Sequence, residues 1–104
     1  MQNFKSDIKN RHSSYAPAIF LDRNGVIIED TQFNREPEEV KLCIGGKRLF
    51  DKCNELDLAI VIVTNQPGIA GGLSTWDDYN AVTDQMLGLL DYPKCLRGIY
   101  AIAI

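Results

Sequence analysis

Two short polar segments follow apolar runs and carry residue types suited to phosphoryl chemistry. The first, Asp-Arg-Asn-Gly at residues 22–25, follows the apolar residues 18–21. A carboxylate at the end of a buried strand is costly unless something compensates its charge. Magnesium would do so, since it prefers oxygen ligands and often accompanies phosphate. The pattern favours Asp22 as a nucleophile that forms an aspartyl-phosphate, although the same four residues also suit an ordinary turn.

The second segment, Thr-Asn-Gln-Pro-Gly at residues 64–68, follows the apolar run 58–63. Thr64 offers a hydroxyl donor, Asn65 an amide and Gly68 a flexible backbone. Such groups can bind the oxygens of a phosphoryl group, which is the main task in phosphoryl transfer. This segment too has an ordinary turn sequence. Two turns at the same edge of one sheet are harder to explain by chain reversal alone.

The elements that must position these segments alternate in type. The apolar pattern predicts strand, helix, strand, helix, strand, with a polar loop or flap at residues 29–39. That order indicates an α/β fold with a parallel sheet and right-handed crossovers, whose ligands bind at the carboxyl ends of the strands. The predicted segments are strand 18–21, a helix face of Leu49, Phe50, Cys53 and Leu56, strand 58–63, a helix stripe of Trp76, Tyr79, Val82, Met86 and Leu90, and strand 99–104.

Details within these segments sharpen the prediction. The run 58–63 is rich in Ile and Val, as expected of a parallel strand covered on both faces. Ser74 and Thr75 each have an aspartate three residues later, which resembles a capping box at a helix start. Core packing is the ordinary explanation of the apolar stripe that runs from Trp76 to Leu90.

Composition excludes several classes of function. A net charge of −3 carries no basic patch for nucleic acid, and the longest apolar run is far shorter than the roughly 20 residues that span a bilayer. Residues 1–15 form a polar leader, expected to be flexible, without the apolar stretch of a secretory signal. Three widely spaced cysteines and a single histidine supply too few ligands for a zinc site and favour free, mostly buried thiols. A cytoplasmic location is the default expectation.

Both polar segments resemble motifs of one family. Residues 18–28 (Ala-Ile-Phe-Leu-Asp-Arg-Asn-Gly-Val-Ile-Ile) resemble the first motif of haloacid dehalogenase-type phosphatases, and residues 61–70 (Val-Ile-Val-Thr-Asn-Gln-Pro-Gly-Ile-Ala) resemble the second. The residues of the two motifs are most similar to those of the subgroup of D-glycero-D-manno-heptose 1,7-bisphosphate and histidinol-phosphate phosphatases. The resemblance runs from about Pro17 to Tyr100. It implies that residues 16–104 are the N-terminal portion of a Rossmann-like three-layer sandwich.

The resemblance also implies roles for individual residues. Asp22 would be the nucleophile and a Mg²⁺ ligand, and the backbone carbonyl of residue 24 would bind the same ion. Thr64 would hold the phosphoryl group, with Asn65 and Gln66 beside it in the substrate pocket. The segment after the first strand would face the leaving group, and its members are Asp30, Thr31, Gln32 and Phe33.

Three departures from the family pattern modify this expectation. Asn24 replaces the aspartate that serves the family as general acid and base, so we expect slow turnover and a persistent phosphoaspartate. Gly71 stands where relatives often have Arg. The chain stops at Ile104, before the family's phosphate-binding Lys and metal-binding Asp. We therefore expect a fragment of a longer phosphatase, with an edge at residues 99–104 that invites self-association.

Two function classes remain open at this point. The motifs favour a phosphomonoesterase for a small phosphorylated metabolite such as heptose 1,7-bisphosphate. Asn24 favours an inactive remnant or a phospho-ligand-binding module. A nucleotide-binding domain is disfavoured, because the chain has neither Gly-x-Gly-x-x-Gly nor a P-loop sequence.

Overall fold

The computed structural model describes residues 17–31 and 35–104 of the chain. The predicted leader at residues 1–15, and the predicted site residues Gln32 and Phe33, lie outside the described part. Within it, the predicted order of strand, helix, strand, helix, strand is confirmed, and so is the α/β class with a parallel sheet.

Three strands, three helices and one 3-10 turn make up the described chain. In order they are β1 (Ala18–Leu21), a 3-10 helix (Pro37–Glu39), α1 (Gly46–Leu56), β2 (Ala59–Asn65), α2 (Pro67–Ala70), α3 (Trp76–Leu89) and β3 (Leu96–Ile102). None of the described helices is long and apolar enough to cross a membrane.

The sheet has the strand order β1-β2-β3, and both pairings are parallel. β1 and β2 are in register from Ala18 opposite Ala59 to Leu21 opposite Ile62. β2 and β3 pair as far as Asn65 opposite Ile102, with an irregularity between Ile60 and Val61. The carboxyl ends of all three strands therefore lie at one edge of the sheet.

One face of the sheet carries the hydrophobic core. Two successive crossovers of the same hand and direction place α1 and α3 on the same face. The core accordingly joins side chains from β2, α1, α3 and the connecting segments: Ile60, Ile62, Phe50, Cys53, Val82, Met86, Leu90, Ile27, Ile28 and Cys95. Phe20 and Val63 on the opposite face are 68% and 47% exposed. Cover on both faces, expected for the second strand, is thus incomplete among the described residues.

β2 is longer at its carboxyl end than the sequence pattern predicts. Thr64 and Asn65 were expected in a turn, but they remain in the strand because they pair with Ala101 and Ile102 of β3. The turn that follows is helical. Pro67 occupies the start of α2, where its missing N–H has no partner to lose.

In α1 the buried side chains differ from the predicted face. Gly46, Phe50 and Cys53 are buried at spacings of four and three residues, whereas Leu49 and Leu56 are 37% and 55% exposed. Each residue turns an α-helix by about 100°, so a residue next to the buried stripe points well away from the core. Gly46 belongs to the stripe because a Cβ there would stand 3.2 Å from the Ile27 carbonyl oxygen.

The start of α3 has the expected capping box, and Thr75 supplies it. The Thr75 hydroxyl accepts from the Asp78 N–H at 3.0 Å, and the Asp78 carboxylate accepts from the Thr75 N–H at 2.9 Å. The predicted stripe is buried at Val82, Met86 and Leu90. Trp76, at the first turn of the helix, is 45% exposed and does not belong to the core.

The cysteines are free thiols, as predicted. Cys53 and Cys95 are buried and Cys43 is partly exposed. Burial raises the pKa of the Cys95 thiol, which lies against the core between α1 and β3.

Candidate active site

The first polar segment forms a tight reversal at the end of β1. Gly25 has a φ of +78°, a conformation that glycine adopts readily and other residues avoid. Its N–H donates to the Ile28 carbonyl at 2.7 Å, and the Ile28 N–H donates back to the Arg23 carbonyl at 3.1 Å. The chain then leaves the sheet edge beside the N-terminus of α1, since the Cys43 N–H donates to the Ile27 carbonyl at 2.8 Å.

Asp22 lies at the carboxyl end of β1 with its side chain exposed. One carboxylate oxygen, Oδ1, accepts from the Arg23 N–H at 2.7 Å. Because Leu21, the last residue of β1, pairs with Ile62, Asp22 leaves the sheet next to the carboxyl-terminal part of β2. The carboxylate is thus accessible, hydrogen-bonded and close to the end of β2.

Arg23, directly after this carboxylate, is completely buried. Its Nε donates to Asn24 Oδ1 at 2.8 Å, and its Nη1 donates to Thr83 Oγ1 at 2.9 Å. The guanidinium also lies 4.7 Å from the ring centre of Tyr79, within the range of a cation–π contact. Burial lowers the pKa of Arg23, while Tyr79 and Asp22 act in the opposite direction. The residue therefore fastens the first turn to α3.

The same guanidinium connects the two strand-end segments. Arg23 Nη2 donates to Gln66 Oε1 at 3.3 Å, and Gln66 Nε2 donates to Thr64 Oγ1 at 3.1 Å. Thr64 and Gln66 are both buried, at 2% and 5% exposure. The segments that the sequence placed at one sheet edge are thus joined by a continuous set of hydrogen bonds.

Several known proteins that are similar to this chain are named as phosphatases. The chain is 38% identical over 76 residues to D-glycero-beta-D-manno-heptose-1,7-bisphosphate 7-phosphatase of Mesorhizobium japonicum, and 39% identical over 88 residues to the protein of the same name in Yersinia pestis. A crystal structure of a HAD-like phosphatase from Mesorhizobium loti matches 86% of the chain with a TM-score of 0.77 and 34% identity. The chain is homologous to the N-terminal part of haloacid dehalogenase-type phosphatases.

A second solved homologue carries ligands. The D,D-heptose 1,7-bisphosphate phosphatase of B. bronchiseptica, determined in complex with magnesium and phosphate, matches 83% of the chain with a TM-score of 0.74 and 30% identity. No family model matches the chain. The chain covers 35% and 45% of the two curated relatives and 43% and 49% of the two solved structures. The resemblance to haloacid dehalogenase-type phosphatases is therefore borne out for fold and ancestry over that portion.

The other predicted site residues are placed less directly. Asn65 is exposed, and its amide is occupied: Nδ2 donates to the Ile104 carbonyl and Oδ1 accepts from the Ile104 N–H, both at 3.2 Å. Asp30 is close to the first turn, since a Cβ at Gly25 would stand 3.9 Å from the Asp30 Cβ. Thr31 is partly exposed just beyond it.

Sequence reasoning missed the buried residues that support the site. These residues lie between the first turn and α3, and none was among the predicted site residues: Arg23, Tyr79 and Thr83. One signal was available: Thr83 is a polar residue next to Val82 on the buried side of α3, and a buried polar group needs a partner. Its partner, Arg23, lies 60 residues away in the sequence.

The donor set at the turn has the chemistry that magnesium prefers, although it is small. The Asp22 carboxylate and the backbone carbonyl of Asn24 are both oxygen donors, and Mg²⁺ commonly binds one or two carboxylates, substrate phosphate and water. Among the described residues, no group of three or more His, Cys, Asp and Glu side chains is placed to hold a metal ion. These residues fit a site in which phosphate and water complete the coordination.

Proposed function

We propose that this chain binds the phosphoryl group of a small phosphorylated metabolite and that Asp22 attacks its phosphorus atom. The supporting observation is the junction of the two strand-end segments. The exposed carboxylate of Asp22 follows β1, and the side chain of the next residue, Arg23, is hydrogen-bonded through Gln66 to Thr64. A sugar bisphosphate of the heptose 1,7-bisphosphate type is the favoured substrate, since both curated relatives are named for it.

The chemistry follows from the residues at the edge of the sheet. An Asp22 carboxylate oxygen forms a bond to phosphorus while the bond from phosphorus to the sugar oxygen breaks, and the sugar oxygen takes a proton from water. The hydroxyl of Thr64, the second-last residue of β2, would donate to a non-bridging oxygen of the phosphoryl group. Magnesium, held by the Asp22 carboxylate and the Asn24 carbonyl, would neutralise charge on the phosphoryl group.

Asn24 limits the second half of the reaction. Hydrolysis of the aspartyl-phosphate needs a base to activate water, and an amide cannot accept or release the proton. General acid–base catalysis contributes about 10²–10⁴-fold, so the phosphoenzyme should accumulate. Asn24→Asp should reverse this, and it should keep the contact with Arg23 because a carboxylate oxygen also accepts from Nε.

Intact-mass spectrometry after incubation with Mg²⁺ and acetyl phosphate tests the proposal. We expect one added phosphoryl group on the wild-type chain, located at Asp22 by peptide mapping. Asn24→Asp should lower the phosphorylated fraction and raise phosphate release by about 10²-fold or more. Asp84→Asn, which changes an exposed aspartate on α3, is the matched control for Asp22→Asn.

The outcomes separate phosphoryl transfer from simple binding. Loss of the adduct in Asp22→Asn but not in Asp84→Asn supports the nucleophile. Phosphate binding without any adduct would support the second candidate, a phospho-ligand-binding module, which the amide at position 24 favours. An adduct that survives in Asp22→Asn would exclude Asp22 as the nucleophile.

A cytoplasmic location stays a prediction.

A further inference from the structure

The direction of each hydrogen bond around Arg23 is determined by its chemistry. A guanidinium group has only donors, so every hydrogen-bonding partner must present an acceptor atom to it. Asn24 therefore turns Oδ1 toward Arg23, and Gln66 turns Oε1 toward it. All the hydrogen-bond acceptors that the described residues offer the Arg23 side chain are neutral oxygens: those of Asn24, Gln66, Thr83 and the Tyr79 carbonyl.

The orientations of the Asn24 and Gln66 amides determine which hydrogen-bond donors are left at the carboxyl edge of the sheet. Because Oδ1 of Asn24 accepts from Arg23, its Nδ2 points away from the guanidinium, and no acceptor among the described residues engages it. With Oε1 of Gln66 committed, its Nε2 donates to Thr64 Oγ1. The Thr64 hydroxyl already accepts from Gln66, so its own hydrogen is left to donate elsewhere. Both ends of the network therefore present hydrogen-bond donors.

We infer that Arg23 is a positioning residue that orients Asn24 and Thr64 as hydrogen-bond donors toward an oxyanion beside Asp22. The inference rests on the proposed function, since it assigns a second task to the same site. An oxyanion needs donors, and preorganised donors cost no reorientation when the anion arrives. Asn24, unable to transfer a proton, keeps a binding role in this arrangement.

Gln66→Glu should reverse the direction of one hydrogen bond, the one between residue 66 and the Thr64 hydroxyl. The introduced carboxylate still accepts from Arg23, and the contact becomes an ion pair. A carboxylate cannot donate to Thr64 Oγ1, so the Thr64 hydroxyl should rotate and donate to residue 66. A bound phosphate then loses one donor. We expect its affinity in the presence of Mg²⁺, measured by isothermal titration calorimetry, to fall roughly tenfold or more.

A double-mutant cycle distinguishes this effect from simple repulsion by the added charge. Thr64→Val alone should also weaken binding of inorganic phosphate roughly tenfold. In the Gln66→Glu background it should have little further effect, because the hydroxyl has already turned away. Fold-changes that multiply across the cycle would overturn the inference. Gln85→Glu, the same change on the exposed surface of α3, should leave phosphate affinity unchanged.

Arg23→Lys provides an independent route if Gln66→Glu does not fold. It keeps the positive charge, but a single ammonium group cannot hold Asn24 and Gln66 as the planar fork does. Phosphate affinity should fall severalfold, whereas Arg48→Lys on the exposed face of α1 should not change it. Unchanged affinity in a folded Arg23→Lys variant would overturn the inference. A wild-type chain that binds no phosphate would overturn the proposed function as well, so the two failures are distinguishable.

Discussion

At the scale of single residues, the change from Asp to Asn at position 24 alters chemistry more than geometry. The side chain keeps an oxygen facing Arg23 Nε at 2.8 Å, a contact that a carboxylate could also make. What is lost is the ability to exchange a proton. We therefore propose that the amide preserves the contact with Arg23 and affects the hydrolysis step rather than the binding of an anion.

Gly25 is the residue whose backbone sets the shape of the first turn. Its φ of +78° is strained for any residue with a Cβ. Gly25→Ala should lower the free energy of unfolding by about 1–2 kcal/mol, as measured by urea denaturation. Although a Cβ there has room, standing 3.9 Å from the Asp30 Cβ, the cost is conformational.

Gly88→Ala in α3 is the matched control for this prediction. Gly88 lies inside a helix, and an added Cβ would be at an ordinary distance of 3.8 Å from the Tyr92 hydroxyl. Because Gly88 is the second-last residue of the helix, the same chemical change should raise stability by no more than about 0.5–1 kcal/mol, the gain expected in a helix interior. Equal effects of the two substitutions would refute the argument from the Gly25 conformation.

At the scale of elements, the start of α3 depends on one side chain of two that the sequence offers. Thr75 and Asp78 exchange both hydrogen bonds of the capping box. Thr75→Ala should lower the free energy of unfolding by about 1 kcal/mol, because it leaves the Asp78 N–H without its acceptor. Thermal or urea unfolding followed by circular dichroism measures this.

Ser74→Ala tests the specificity of the cap. Ser74 also has an aspartate three residues later, Asp77, but it lies before the cap position. Its replacement should change stability by less than about 0.5 kcal/mol. A larger loss from Ser74→Ala than from Thr75→Ala would show that the helix begins one residue earlier in solution.

At the scale of the whole molecule, the described sheet has two edges and one face that the described helices do not cover. β3 is an edge strand, and Ile102 on it is 54% exposed. Such an edge favours pairing between chains. Self-association through residues 99–104 stays a prediction, and Ile102→Lys should reduce it by placing a charge on the edge.

Sedimentation velocity over a range of protein concentrations measures this effect. Ile44→Lys is the control, since Ile44 is fully exposed in the loop before α1 and lies off the sheet. We expect Ile102→Lys to lower the associated fraction and Ile44→Lys to leave most of it. Equal reduction by both variants would mean that general hydrophobicity, rather than the edge, drives association.

The sequence by itself determined the features that depend on neighbours along the chain. The apolar run at residues 18–21 and the strand-helix alternation predicted β1, the parallel sheet and the common edge of the two polar segments. These follow from local periodicity and from the rule that parallel strands end together. The capping box was also predictable, because its two partners are only three residues apart.

The tertiary structure decided what depends on contacts between distant residues. Thr64 and Asn65 stay in β2 because β3 pairs with them. The helices α1 and α3 lie on one face of the sheet because both crossovers run in the same direction. Arg23 meets Thr83 across 60 residues and Gln66 across 43. Sequence periodicity does not predict these contacts, because the buried Arg23 guanidinium meets its acceptors only when the sheet and α3 pack together.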